Sequence, residues 1–150
     1  MRIFEVIGLG VLGVVVGLLV IFVRREVISR GGGTIDMNMR LSTFVAGRGW
    51  APGLGRFTGD ELRWYRLFSF GLRPRRVLVR DQLVIEQRRA PEGAERLAMP
   101  EGWVVVRCGG GPNGGVFNGG ATPVELALAE SAYTGFLSWV ESAPPGARRR

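Results

Sequence analysis

From Val6 to Val23 eighteen consecutive residues carry no charge and almost no polarity, and no other stretch restricts so strongly what this chain can become. Wound as a helix at about 1.5 Å per residue, the run measures about 27 Å, close to the ~30 Å hydrocarbon core of a bilayer. Residues 1–23 therefore read as a transmembrane anchor. A cleaved signal peptide predicts a shorter apolar region closed by small residues. Here the run meets Arg24 and Arg25 with no Ala-x-Ala pattern and no lipobox cysteine, so the segment is expected to be retained. Arg24, Arg25, Arg30 and Arg40 follow the span and only Arg2 precedes it, which by the positive-inside rule predicts a single-pass protein of the cell membrane, N-terminus outside and C-terminal domain cytoplasmic. Gly10, Gly13 and Gly17 recur at helical spacing and leave a shallow stripe along which a second helix, including that of another copy, could pack; the alternative is the ordinary glycine richness of membrane helices.

Beyond the anchor there is room for one core. Residues 24–33 form a juxtamembrane linker ending in three glycines, residues 34–143 a globular domain, and residues 144–150 a basic tail. All 20 basic residues are arginine; lysine and histidine are absent. No imidazole base or ligand, no Schiff-base lysine and no phosphate-loop lysine can therefore exist, and most catalytic designs fall with them. No catalytic residue, metal set or cofactor is expected, and the protein reads as a non-enzyme. The single Cys108 cannot form an internal disulfide.

At Thr34 the hydrophobic period changes from helical to two: Ile35, Met37, Met39 and Leu41 alternate with Thr34, Asp36, Asn38 and Arg40, the pattern of a half-buried strand. Further strands are expected at residues 49–57, irregular or bulged because of its glycines and Pro52, and at 62–68 after a Gly59-Asp60 turn. Residues 75–80 and 83–88 read as a hairpin around Asp81-Gln82, with Val77 and Val79 on one face and Leu83 and Ile85 on one face. Strands at 103–108 and 124–128 bring the number to seven. Residues 131–142 then wind Ala132, Tyr133, Phe136, Leu137, Trp139 and Val140 onto one helical arc, with Ser131 as expected N-cap and Pro144-Pro145-Gly146 as terminator.

The expected fold is thus mainly β, a seven-stranded antiparallel barrel or sandwich capped by one C-terminal helix. Its topology resembles the pleckstrin-homology-like superfold, in which two nearly orthogonal sheets carry one C-terminal helix. The anchor, Arg73-Pro74-Arg75-Arg76 and the segment TGFLSWVESAPPG at 134–146 resemble the actinobacterial membrane-protein family known as domain of unknown function 2550. That resemblance covers nearly the whole chain and implies a single-pass membrane protein; it supplies no activity and no site residues.

Residues 109–114 (GGGPNG) match G-x-G-x-x-G after a strand, but the glycines and Pro123 that follow leave no helix N-terminus for a pyrophosphate, and a hairpin loop is the better reading. Cys108 shares a strand face with Val104 and Val106 and reads as a small buried hydrophobe. Asp60 and Glu61 read as solvated turn residues rather than an acid and base pair. Trp64, Trp103 and Trp139 are assigned to the core, and Trp50, beside Gly49 and Pro52, is the one tryptophan for which exposure is an alternative. Arginine interleaved with aromatics in Arg63-Trp64-Tyr65-Arg66 invites a nucleic-acid reading, but alternation hides half of those side chains, and no nucleic acid is expected as partner. Arg73, Arg75, Arg76 and Arg80 form the one basic cluster that could converge on phosphate or carboxylate oxygens; the alternative is a solvated strand face. These readings favour a membrane-tethered binding or scaffold module for a membrane-associated protein partner, with a sensor of anionic lipid headgroups or a soluble anion as the second choice.

Overall fold

The computed structural model describes residues 1–30, 32–41, 47–69, 71, 73–110 and 123–142, and the chain divides into two units, Met1–Gly32 and Gly33–Arg150. In the first unit one helix, α1, runs Arg2–Ser29. Its 28 residues give about 42 Å of length, and the part Arg2–Val27 is long and apolar enough to cross a membrane. The helix passes the last apolar residues as expected and ends with Arg30 donating its backbone N–H to Glu26 O at 3.0 Å. Gly32 and Gly33 then take φ +66° and +64°, a backbone region other residues rarely enter, so the helix cannot propagate.

The second unit is a single antiparallel sheet of seven strands, β1 (Thr34–Arg40), β2 (Trp50–Thr58), β3 (Glu61–Arg66), β4 (Arg76–Val79), β5 (Leu83–Arg89), β6 (Trp103–Gly110) and β7 (Val124–Ala129), with a one-turn helix α2 (Glu95–Ala98) and a closing helix α3 (Glu130–Glu141). The spatial order is β4-β3-β2-β1-β7-β6-β5, so β4 and β5 are the two edges. This overturns the hairpin expected around Asp81-Gln82. A two-residue hairpin loop favours positive φ, supplied by glycine or asparagine. Asp81-Gln82 offers neither, and Arg80–Gln82 instead forms a single 3-10 turn between extended Val79 and Leu83. Seven strands laid flat would hold β4 and β5 about 29 Å apart, whereas the four Cα steps from Val79 to Leu83 span at most about 15 Å. The sheet must therefore curl, and it forms a half-barrel rather than a two-sheet sandwich.

Strand β2 is regular, not bulged: its register with β1 is unbroken from Thr34↔Arg56 to Arg40↔Trp50. Pro52 is tolerated because it faces β3 just beyond the last bridged pair, Gly53↔Arg66, where its carbonyl accepts the Leu67 N–H at 2.9 Å and no ladder needs its missing donor. The glycines of β2 are also spaces: a Cβ on Gly53 would overlap the Trp64 indole, and one on Gly55 the Met37 sulfur. Trp64 crosses that gap to donate Nε1–H to Met37 O at 3.2 Å. Between β2 and β3 the two-residue loop places Gly59 at φ +57° in its first position, where a type II′ turn requires glycine.

The concave face holds the main core: Met37, Met39, Leu62, Trp64, Leu78, Leu83, Val104, Val106, Cys108, Leu126 and Leu128. In β4 the inward residue is Leu78, fully buried, while Val77 and Val79 share the other face and are half-buried; the register that pairs Leu62 with Leu78 decides the parity. Helix α3 closes the concave face with Phe136 and Val140 buried and Ala132, Tyr133 and Trp139 packed beside them. It starts one residue earlier than expected: Ala129 is the N-cap, without a side-chain cap, and Ser131 lies inside the first turn. On the convex face α2 and its flanks cover a smaller cluster of Met99, Val105 and Ala127 with Trp50 and Trp103. Trp50, the one tryptophan for which the sequence leaves exposure open, is half-buried there. The tail at 144–150, its terminator and most of the glycine-rich loop lie outside the described residues.

Candidate functional site

The four arginines singled out from the sequence occupy two different environments. Arg80 stands at the 3-10 turn, its side chain mostly buried, where it pairs with Asp60, donates to Ser142 Oγ at 3.1 Å and lies over the Trp139 ring at 5.8 Å. Its backbone N–H also bonds Asp60 O at 2.8 Å, while Trp139 donates Nε1–H to Gly59 O at 3.0 Å. Arg80 thus joins the β2–β3 turn, the end of β4 and the end of α3. Arg80→Ala is expected to lower stability by about 1–2 kcal/mol, from a shielded ion pair, a hydrogen bond and a cation–π contact, as read by chemical denaturation. A variant as stable as the parent would show that corner to be held by its backbone alone.

Arg73, Arg75 and Arg76 belong to the connection between β3 and β4 and the first residue of β4. Arg73 and Arg75 are exposed, and Arg76 is half-buried. Among the described residues none of the three has a carboxylate partner, in contrast to six other arginines of this unit, Arg40, Arg63, Arg80, Arg88, Arg89 and Arg107, which do. Burial, and then the charge of Arg75, pull the Arg76 guanidinium below its ordinary pKa, the mark of neighbouring cations without a counter-charge. The same connection carries Phe68, 70% exposed, a feature the alternation pattern missed because it had placed this residue inside a strand that in fact ends at Arg66. Because β3 runs parallel to β1, the connection leaves the sheet in the direction away from Gly33.

A second group of charges was not foreseen. On the convex face Arg40 pairs with Glu125 at 2.5 Å, Glu125 lies 3.7 Å from Arg89, and Arg89 holds Glu95 through two bonds of 2.6 and 3.0 Å. Glu95, on α2, is almost fully buried and also accepts the Glu92 backbone N–H at 3.1 Å. The Arg89 hydrogen bonds hold its carboxyl down to about 2 against the opposing effect of burial. The Trp50 indole N–H, buried without a complete hydrogen bond of its own, adds to this, and Arg40 lies over the Trp50 ring at 6.0 Å. These side chains wall a cleft of about 440 Å³ bounded by Arg40, Arg89, Glu92 and Glu95. Its arginines are already neutralised, so the cleft reads as the lock that holds the 90–99 segment on the sheet. Only geometry could reveal it, since its members come from positions 40, 89, 95 and 125.

The remaining candidates have structural places. Cys108 is fully buried, and desolvation, then the nearby Glu86 charge, push its thiol up to about 12, far from a reactive thiolate. Asp60 and Glu61 each serve their own arginine, Arg80 and Arg63. Trp64 and Tyr65 are both buried, which leaves neither ring free to stack on a base. Among the described residues no three His, Cys, Asp or Glu side chains are grouped to hold a metal ion. A Cβ added at Gly10, Gly13 or Gly17 would meet nothing within 4 Å, so in the first unit the stripe is open surface.

A family profile described as "Protein of unknown function (DUF2550)" matches residues 11–146. An uncharacterized protein of Mycobacterium tuberculosis is 42% identical over 147 residues, covering 96% of this chain and 95% of its own length. An uncharacterized protein of Mycobacterium leprae is 38% identical over 122 residues, covering 81% and 79% respectively. No solved structure matches the chain.

Proposed function

This chain belongs to the DUF2550 family, and on that premise we propose that it is a non-catalytic, membrane-tethered binding module. Helix α1 crosses the cell membrane once with its N-terminus outside, because Arg24, Arg25, Arg30 and Arg40 follow the apolar run, and the β unit works in the cytoplasm. The binding face is the β3–β4 connection, and its occupant is a membrane-associated protein. The observation that carries this reading is the set Arg73, Arg75 and Arg76, without carboxylate partners among the described residues, in the same connection as an exposed Phe68. Arginine and large aromatics are the side chains that dominate the cores of protein interfaces.

The second reading, a sensor of anionic headgroups or of a soluble anion, is favoured by the mutual repulsion of Arg75 and Arg76. It is the weaker one because an arginine near an anionic leaflet contributes only about 1 kcal/mol, and covalent tethering already supplies proximity. The connection also points away from Gly33, where the chain enters the β unit.

The test is photo-cross-linking in intact membranes from p-benzoylphenylalanine placed at position 68, with a C-terminal topology reporter on the same chain. The expected results are a protein adduct that persists at about 0.15 M salt, where the Debye length is about 8 Å, and a reporter active only in the cytoplasm. Adducts to lipid alone would replace the module with the headgroup sensor, and a reporter active only outside would reverse the orientation.

A further inference from the structure

We infer that the partner presents to the β3–β4 connection an acidic segment bearing an apolar side chain; this rests on the binding-module reading and specifies its ligand chemistry. The β unit distributes its charge unevenly. Six of its carboxylates, Asp60, Glu61, Glu86, Glu95, Glu125 and Glu130, are engaged by arginines elsewhere in the fold, and none of the other described ones, Asp36, Asp81, Glu92, Glu101 and Glu141, forms an ion pair with Arg73, Arg75 or Arg76. An external anion must supply the counter-charge if the three are to be buried at an interface, since an unpaired desolvated guanidinium is strongly unfavourable. Arg76 is already partly desolvated, so it carries part of this cost before any partner arrives.

The shape of the guanidinium suits carboxylate and phosphate alike, and Phe68 decides between them. The planar fork matches the two oxygens of a carboxylate as two parallel bonds, and Pro74, with its fixed φ, restricts the backbone between Arg73 and Arg75. A purely polyanionic ligand would leave Phe68 in water. Among the described residues of the β unit Phe68 is the most exposed aromatic, and burying it against a partner's apolar side chain removes its apolar surface from water, which favours binding. Carboxylates with an apolar neighbour, as on an acidic amphipathic segment of a protein, satisfy both halves of the surface.

The experiment uses the full chain in its own membranes, with p-benzoylphenylalanine at position 68 and the adduct mapped by mass spectrometry. The double variant Arg73→Glu with Arg75→Glu should lower adduct yield by more than about tenfold, the loss expected when two charge pairs become repulsive, while Arg96→Glu, an exposed arginine on α2, leaves it unchanged. The mapped segment should contain clustered Asp or Glu beside an apolar residue, and replacing those carboxylates by arginine should restore the adduct to the charge-reversed chain. A protein adduct on a segment without carboxylates, or one indifferent to the reversal, overturns this inference and leaves the binding module standing. An adduct to lipid or nucleic acid alone, or no adduct, overturns both. Both substituted positions are exposed, so the thermal transition of the double variant should match that of the parent, and a lost transition would show that the connection holds the fold rather than a partner.

Discussion

A chain ending at Glu130 is expected to lose its cooperative unfolding transition, because α3 is the second wall of the core and not an ornament on the sheet. Phe136 and Val140 are buried and Tyr133 and Trp139 half-buried on the concave face, with Trp139 against Phe57 at 5.1 Å between ring centroids. Each fully buried apolar side chain contributes about 1.5–3 kcal/mol, and losing the helix would also expose part of the concave-face core it closes. The total reaches the 5–15 kcal/mol that a domain typically has. The helix also spans the open seam of the half-barrel: Arg80, just after edge strand β4, engages Trp139 and Ser142, and Arg88, on edge strand β5, engages Glu130 and lies over the Tyr133 ring at 5.0 Å. Ending the chain at Glu130 removes Trp139 and Ser142 from Arg80 and Tyr133 from Arg88, and leaves Arg88 only Glu130, then the last residue of the chain. Phe136→Ala, which keeps the helix, should cost about 3–5 kcal/mol by chemical denaturation. A truncated chain with a sharp thermal transition would show that the curled sheet is stable alone.

Replacing Glu95 by alanine should cost about 3 kcal/mol, the second largest single effect, since it strands a half-buried cation. Arg89, whose side chain is 23% exposed, would keep the Ala90 carbonyl at 3.3 Å and, as its carboxylate, only Glu125 at 3.7 Å, which is already claimed by Arg40. The same bond makes the fold acid-sensitive in a defined direction. The Glu95 carboxyl is lowered from 4.5 to about 2 on folding, so its contribution is fully present above about pH 4.5 and is lost as pH falls toward 2. A displacement of that size corresponds to roughly 3 kcal/mol. The stability gap between the parent and Glu95→Gln should therefore stay constant above about pH 5 and shrink below it. A gap as wide at pH 2 as at pH 7 would show that Glu95 contributes by packing rather than by charge.

Much of the fold was legible because it rests on local periodicity. The alternation from Ile35 to Leu41, the β-branched run in β6 and the apolar arc from Ala132 to Val140 each report one face of one element, and each formed where expected within a residue or two. Pairing partners were less legible. Residues 75–80 and 83–88 look adjacent in sequence, yet β4 bonds β3 and β5 bonds β6, because the Arg80–Gln82 turn lacks a residue suited to positive φ. Pro52 and the β2 glycines argued for irregularity; the sheet uses the glycines as room for Trp64 and Met37 and ends the β3 ladder where the proline has no N–H to give.

The candidate site divides along the same line. The unpartnered arginines beside Pro74 stand together in the chain and could be singled out from it. Arg80 left that group because tertiary structure placed Asp60, twenty residues away, within reach of its guanidinium. Sequence by itself determined the long apolar N-terminal helix, the number of strands and the amphipathic closing helix, since hydropathy and period act over a few residues and need no distant partner. Only tertiary structure decided which strands became edges, which arginines were neutralised and that Glu95 would be held ionised in a buried network. Those outcomes depend on which groups meet across separations such as the 85 residues between Arg40 and Glu125, and a charge carries no local record of the partner that the curl of the sheet will bring to it.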